Sequence, residues 1–408
     1  MKESMPKRIL IFSLAYFPKH VGGAEVAIKE ITDRIPSSLY EFHMVTLRFD
    51  STLPKMEKVG NVFVHRIGFV KRNPTMADLR KFPLHFNKLL FQFWAFFKAA
   101  TLHRKLDFYA TWAMMAHSCG VPAALFKLSH KKVKYVLTLQ EGDPPEYIER
   151  KMLPLFPLFK RAFTSADMIQ SISTFLVTWS KKMGANCPTV VIPNAVNIKH
   201  FSQTYPTEEL NGIKDKLKKK KNDVFLITTS RLVKKNACDD VIRSLTHLPK
   251  NYHFIILGTG PDEDMLRALA RGLKVESRVQ FLGQIGHADL PKYLVASDIF
   301  IRPSLSEGMG NSFVEAMAAK LPVIATQEGG IADFLFDPEL NTEKDPTGRA
   351  VKARDPEGIA RAAKLYISDK AMTEKIVSNA EKMAREKYDW NLIAKDMEEK
   401  VFGALLKV

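Results

Sequence analysis

The sequence predicts an α/β protein made of two successive parallel-sheet domains. Short runs rich in β-branched and aromatic residues alternate with amphipathic helical stretches, the pattern of strands joined by crossover helices. The alternation stops at a polar segment near the middle and then begins again, which separates two halves. With 408 residues, 46% of them hydrophobic, the chain can bury a large core, and its composition is that of a globular protein.

In the first half the expected strands are Arg8–Ala15, Glu41–Leu47, Val62–Ile67, Phe108–Ala110, Lys134–Leu139, Met168–Ser171 and Thr189–Ile192. Lys2, Lys7 and Arg8 ahead of the apolar run Ile9–Phe17 imitate an export signal. No small-residue cleavage site follows, so the run reads as a buried first strand. Pro193-Asn194-Ala195 ends the last strand, and a polar linker runs on to Asp223. Its run Lys218–Lys221 reads as a solvated face. The second half has expected strands at Val224–Thr229, His253–Leu257, Val279–Leu282, Ile299–Arg302 and Val323–Ala325. Helices are expected from about Asp239, Asp262, Asn311 and Pro356.

Sixty-one Lys and Arg against 44 Asp and Glu leave a net charge of +17. Such an excess favours an anionic partner: nucleic acid, an anionic membrane or a phosphorylated ligand. No nucleic-acid recognition module is present in the pattern, so nucleic acid is not expected. Cys119, Cys187 and Cys238 are too sparse for a zinc or dithiol site and suit a reducing compartment. No apolar stretch reaches the roughly 18 residues of a membrane span.

The densest chemistry lies in Pro303–Met317. A strand ends at Arg302, a loop carries Gly308, Met309 and Gly310, and a helix opens near Asn311 and Ser312. This puts backbone N–H groups and the positive end of a helix at the carboxyl edge of a sheet, where phosphates bind. Glu307 in the loop and Glu315 on the helix can address one pocket. Carboxylates accept hydrogen bonds from paired hydroxyls, which suits a sugar and a ribose. Gly258 and Gly260 follow another strand and precede a helix, a weak phosphate signal by itself. Gly22 and Gly23 do the same after the first strand and let backbone approach a phosphate.

Glu307-Gly308-Met309-Gly310, Glu315-Ala316-Met317-Ala318, Pro322-Val323-Ile324-Ala325 and Gly329-Gly330 together resemble the signature of the family 4 glycosyltransferases, which have the GT-B fold. Met309 stands where the family has Phe. The resemblance implies that Glu307 holds donor-sugar hydroxyls and Glu315 the ribose. Ser230-Arg231-Leu232-Val233-Lys234-Lys235-Asn236 is similar to the family's Arg…Lys clamp on the donor diphosphate, with Lys235 preferred over Lys234. Two fixed cations would neutralise charge developing on the leaving group. The family's Lys more often stands one place later, where this chain has Asn236. The resemblance also places Gly22, Gly23, Gly258 and Gly260 at the donor. It sets Gln140 where the family commonly has a His, and Asn194 in a Pro-Asn-Gly-Val-like interdomain motif. Gln140 can bond a sugar hydroxyl but does not titrate near neutral pH. His117 reads as a loop or core histidine.

Between Leu79 and Gln140 the only acid is Asp107, against ten Lys and Arg. Phe82, Phe86, Leu89, Leu90, Phe93 and Phe97 are spaced for one helix face, while Lys81, His85, Lys88 and Gln92 fall on another. A basic helix with broad aromatic exposure can lie on an anionic membrane, so residues 79–105 are an expected membrane contact.

The expectation is therefore two facing Rossmann-like domains of GT-B type, with parallel sheets flanked by helices: 1–195 on the acceptor side, 196–385 on the donor-nucleotide side, and 386–408 crossing back to the first. The resemblance implies a retaining glycosyltransferase with a nucleotide diphosphate sugar donor and a glycan or lipid-linked acceptor, and the sparse cysteines and missing cleavage site imply a cytoplasmic one. It implies no obligatory metal and no other cofactor. A nucleotide-sugar epimerase or hydrolase, or a non-catalytic glycan- or membrane-binding protein, are the other readings.

Overall fold

Apolar runs such as Ile9–Phe12 are buried without a break, as parallel strands covered on both faces must be. In the computed structural model, which describes residues 5–19, 21–75 and 78–406, such runs build two sheets. Lys2, one of the basic residues ahead of the first apolar run, lies outside the described residues.

The chain divides into one unit of Met1–Asn194 with Trp390–Val408 and a second of Ala195–Asp389. Residues 386–389, expected with the returning segment, belong to the second unit. The helix Lys370–Lys387 runs through the expected boundary, and Asp389 bridges to Val196 beyond it. The returning segment packs Phe402 against Tyr40, Phe42 and Trp112 of the first unit.

The first unit has β1 (Lys7–Phe12), β2 (Tyr40–Leu47), β3 (Met56–Val59), β4 (Val62–Ile67), β5 (Ala110–Met114), β6 (Lys134–Leu139), β7 (Met168–Ser171) and β8 (Thr189–Val191). Their order is β3-β4-β2-β1-β5-β6-β7-β8. All neighbours are parallel except the β3–β4 hairpin. The second unit has β9 (Val224–Thr229), β10 (Tyr252–Leu257), β11 (Val279–Gly283), β12 (Ile299–Arg302), β13 (Val323–Ala325) and β14 (Arg349–Ala350). Their order β11-β10-β9-β12-β13-β14, all parallel, reverses direction of winding between β9 and β12. The first sheet reverses in the same way between β1 and β5. Open α/β sheets bind ligands at such a reversal, outside the carboxyl ends of the strands.

Several expectations are corrected. β1 ends at Phe12 rather than Ala15; Ser13 still donates its N–H to the Val45 carbonyl at 3.2 Å, and its hydroxyl turns onto the Ala15 carbonyl as the chain leaves the sheet. The strand expected at Phe108–Ala110 is Ala110–Met114; Phe108 is buried ahead of it, beside His43 and His103. The linker holds two helices, Ile198–Phe201 and Thr207–Lys216. The lysine run after it is not all solvated face, since Lys219 reaches Asp298 at 2.7 Å and the Ala296 carbonyl at 3.0 Å.

The basic aromatic stretch departs from expectation in where its helix begins and in which face is buried. Its helix spans Asn87–Leu106, so Phe82 and Phe86 precede it. The buried face is Phe91, Ala95, Ala99 and Leu102, together with Gln92, which had been placed with the basic residues. The expected apolar face points outward: Phe82 is 80% exposed, Leu89 53% and Phe97 63%, with Phe86 and Phe93 also exposed. Among the described residues no helix is long and apolar enough to cross a membrane.

Candidate active site

At the reversal point of the second sheet two loops leave the carboxyl ends of adjacent strands, Ser230–Asn236 after β9 and Pro303–Gly310 after β12. They are tied together where the Lys235 carbonyl accepts the Leu305 N–H at 2.7 Å. Arg231 and Lys234 are exposed, and Lys235 is half-buried. Asn236 is 6% exposed and donates from its amide to the Arg231 carbonyl at 2.6 Å. It therefore closes the turn that carries the cations, which leaves Lys235 as the lysine held against the β12 loop.

Gly258 and Gly260 are pressed against this same segment. The Leu232 N–H donates to the Thr259 carbonyl at 3.0 Å. A Cβ on Gly258 would stand 1.9 Å from the Ser230 carbonyl oxygen, so only glycine fits there. These glycines let the β10 turn seat the arginine-bearing loop.

Glu307 is anchored by a residue whose charge also acts on Glu315 and that carries no motif in the sequence. Arg302, the last residue of β12, is buried and donates from Nη2 to Glu307 Oε2 at 2.9 Å and from Nη1 to Ser312 Oγ at 2.8 Å. Its guanidinium lies 4.3 Å from the centre of the Phe313 ring. Gly310 makes room for it: at φ +87° a side chain is disfavoured, and a Cβ would fall 2.6 Å from Nη2 and from the Phe313 ring. Met309 is buried beneath the loop, with Gly308. The helix Asn311–Ala318 then opens directly at this cluster. Burial pushes the Glu315 carboxyl up to about 7, against the opposing charge of Arg302. The signal for Arg302 was an arginine closing the otherwise apolar strand Ile299–Arg302.

In the first unit the reversal point is flanked by the loop after β1 and the turn after β5. Gly22 caps the helix Gly23–Arg34, and its N–H donates to Glu25 Oε2 at 2.7 Å. The helix end is thus closed by its own carboxylate, while the Cβ position of Gly23 faces open space. Gln140, at the end of β6, exchanges two amide hydrogen bonds with Asn194. Glu141 beside it is buried, accepting from the Gln140 N–H at 3.0 Å and lying 3.3 Å from His117 Nδ1. His117 Nε2 in turn lies 3.0 Å from Ser118 Oγ. This carboxylate–imidazole–hydroxyl chain was not foreseen, because Glu141 reaches it from another strand end and His117 carries no motif. Among the described residues no cluster of His, Cys, Asp and Glu has the form of a metal site.

Two parallel sheets of this winding, with cations, paired carboxylates and a helix end at the reversal point of the second, define a glycosyltransferase of GT-B fold. Residues 21–200 match the model of Glycosyltransferase Family 4 and residues 211–383 that of Glycosyl transferases group 1. The chain belongs to this glycosyltransferase family. An uncharacterised glycosyltransferase of Methanocaldococcus jannaschii is 23% identical over 95% of this chain and 96% of its own length. The alpha-monoglucosyldiacylglycerol synthase of Acholeplasma laidlawii is 30% identical over 36% of this chain and 38% of its own. Among solved structures, Anabaena HepE in complex with UDP-glucose superposes with a TM-score of 0.75, at 20% identity, covering 97% of this chain and 99% of that one.

Proposed function

We propose that the chain transfers a hexose-type sugar, with retention of anomeric configuration, from a nucleotide diphosphate sugar to a glycan or lipid-linked acceptor. The observation that carries this reading is the arrangement at the second reversal point. Arg231 and Lys235 stand on one loop, Glu307 and Glu315 on the next loop and helix, and a backbone hydrogen bond ties the two loops.

In this reading Glu315 orients the ribose and Glu307, fixed by Arg302, orients the sugar. Gly258, Gly260, Gly308, Met309, Gly310, Asn311 and Ser312 shape the donor pocket, and the helix opening at Asn311 adds its positive end. Gly22, Gly23, Gln140 and Asn194 serve the first-unit side. The bond from the anomeric carbon to the diphosphate oxygen breaks, and the nucleoside diphosphate leaves with the electron pair, stabilised by Arg231 and Lys235. The acceptor oxygen bonds to the anomeric carbon on the same face, and its proton passes to the departing phosphate. Gln140 need not titrate for that step. The two side-chain cations supply the charge that a metal would otherwise supply. The synthesis served is that of a cell-envelope polysaccharide or glycolipid.

The outward apolar stripe of Phe86, Leu89, Phe93 and Phe97, with Lys81, Lys88 and Lys98 nearby in sequence, supports reversible attachment to the cytoplasmic face of an anionic membrane. Co-sedimentation with anionic liposomes at low salt, lost at high salt, checks it; no binding at low salt removes it.

Turnover is tested by proton NMR of a nucleotide sugar incubated with the chain. Release of nucleoside diphosphate with the anomeric signal first appearing in the donor's configuration agrees with the reading. First appearance of the opposite anomer contradicts retention.

A further inference from the structure

A cavity of about 220 Å³ opens in the first unit at the reversal point between β1 and β5. Leu14 follows β1 and His117 and Ser118 follow β5, so the cavity sits where an open α/β sheet takes a ligand. Its walls have three distinct chemistries.

The first is apolar. Leu89 of the Asn87–Leu106 helix faces Met152 and Leu155 from the segment beyond Pro145–Lys151. Leu89 also belongs to the exposed stripe, and Leu153, next to this wall, is 62% exposed. The cavity is therefore continuous with an apolar surface. The second is a buried acceptor without a partner. Gln92 is 6% exposed; its Nε2 donates to the Ser118 carbonyl at 3.1 Å, which leaves Oε1 buried with no hydrogen bond. A buried unpaired carbonyl oxygen costs roughly 1–3 kcal/mol unless a donor reaches it, and a ligand hydroxyl is such a donor. Ser118 Oγ and His117 stand beside it. The third is positive: Lys88 and Lys151, both exposed, contribute to the same lining.

We propose that this cavity is the acceptor site and takes an amphiphile, with an apolar chain against Leu89, Met152 and Leu155, a hydroxyl on Gln92, and an anionic group such as a phosphate beside Lys88 and Lys151. The proposal rests on the transfer reading for the word acceptor; the binding chemistry stands on the cavity alone. The apolar stripe gives the chain of a lipid-linked substrate a dry approach, and the hydroxyl end meets the polar wall.

Calorimetric titration of the full chain with dodecyl phosphate, inorganic phosphate and dodecyl maltoside, each below the concentration at which it forms micelles, tests this. The expected result is saturable binding of one dodecyl phosphate. Inorganic phosphate and the neutral detergent should each bind at least tenfold more weakly. Leu89→Ser and the pair Lys88→Glu with Lys151→Glu alter exposed residues, so the fold should persist, and each should weaken dodecyl phosphate at least tenfold. The lysine pair should leave the weak binding of dodecyl maltoside unchanged, and Leu89→Ser should reduce it. Equal binding of inorganic phosphate, or dodecyl phosphate binding untouched by all these changes, overturns the proposal.

Nucleotide-sugar binding, measured on the same preparations, separates the two readings. A wild type that binds donor but not dodecyl phosphate refutes the cavity and leaves sugar transfer standing. A folded wild type that binds no donor refutes the acceptor role, whatever the amphiphile does.

Discussion

Gln140 and Asn194 hold each other by reciprocal amide hydrogen bonds, Gln140 Nε2 to Asn194 Oδ1 at 3.0 Å and Asn194 Nδ2 to Gln140 Oε1 at 3.2 Å. The pair fixes the orientation of the Gln140 amide at the end of β6. Asn194→Ala frees that amide, and kcat should fall roughly fivefold, the equivalent of one hydrogen bond of about 1 kcal/mol. Because Gln does not titrate, Gln140→His should add to the profile of kcat against pH, at saturating donor, a limb near the ordinary histidine value of about 6.5. Profiles of kcat against pH at saturating donor for the three proteins check both outcomes.

Arg302 and Glu307 form a buried ion pair at 2.9 Å, with side chains 8% and 14% exposed. Arg302→Leu leaves Glu307 uncompensated, and removing one partner of a buried pair costs about 3–5 kcal/mol. Denaturant unfolding should show a loss of that order, and donor affinity should fall with it because Glu307 loses its anchor. Glu307→Gln keeps a hydrogen-bond acceptor for Arg302 and should cost less stability. If Arg302→Leu unfolds at the wild-type denaturant midpoint, the pair does not hold the loop.

Glu315 gives the site a pH dependence with a defined sign. Burial raises its folded value to about 7 from an ordinary 4.5. Between those values the folded chain binds more protons than the unfolded one, so this group's contribution to stability is present below 4.5 and is lost as pH rises to 7. Donor binding should run the other way, tightening as pH rises through 7, because the carboxylate is the form that accepts ribose hydroxyls. Glu315→Gln should flatten both trends, which thermal unfolding and donor titration across pH 5–8 would read.

His65 works in the opposite direction. Burial, with help from His43 at 3.1 Å and from Lys98, holds its folded value down to about 4 from 6.5. The unfolded chain takes up the proton first, so stability is lost as pH falls from 6.5 to 4. The difference in Tm between wild type and His65→Gln should therefore shift in the variant's favour over that range. A constant difference would contradict the assignment.

The parallel strands were legible because burial on both faces leaves runs of consecutive apolar residues, as in Val224–Ile227 and Tyr135–Leu137. β3 was not, since Met56–Val59 lies at the sheet edge with alternating exposure and a polar sequence, and β14 spans only Arg349–Ala350. The pairing of Glu307 with Glu315 was legible because their spacing follows from one strand–loop–helix unit. Arg302 belongs to the same unit but closes an apolar strand, where it reads as a strand end, and Glu141 meets His117 from another strand, which leaves no local pattern. In the basic helix two faces shared helical spacing. The small Ala95 and Ala99, which allow close packing, mark the buried one, and the large aromatic residues mark the other.

The proposed donor site of the second unit is the loop after β9 together with the loop and helix after β12. Binding and slow hydrolysis of UDP-, GDP- and ADP-sugars should be measured on the wild type, Arg231→Ala and Glu307→Ala. One preferred donor is expected for the wild type and, for that donor, a loss of turnover of 100-fold order in each variant, about 3 kcal/mol of lost transition-state stabilisation. Folded wild-type protein that binds none of the donors, or variants that turn over at the wild-type rate, would contradict it.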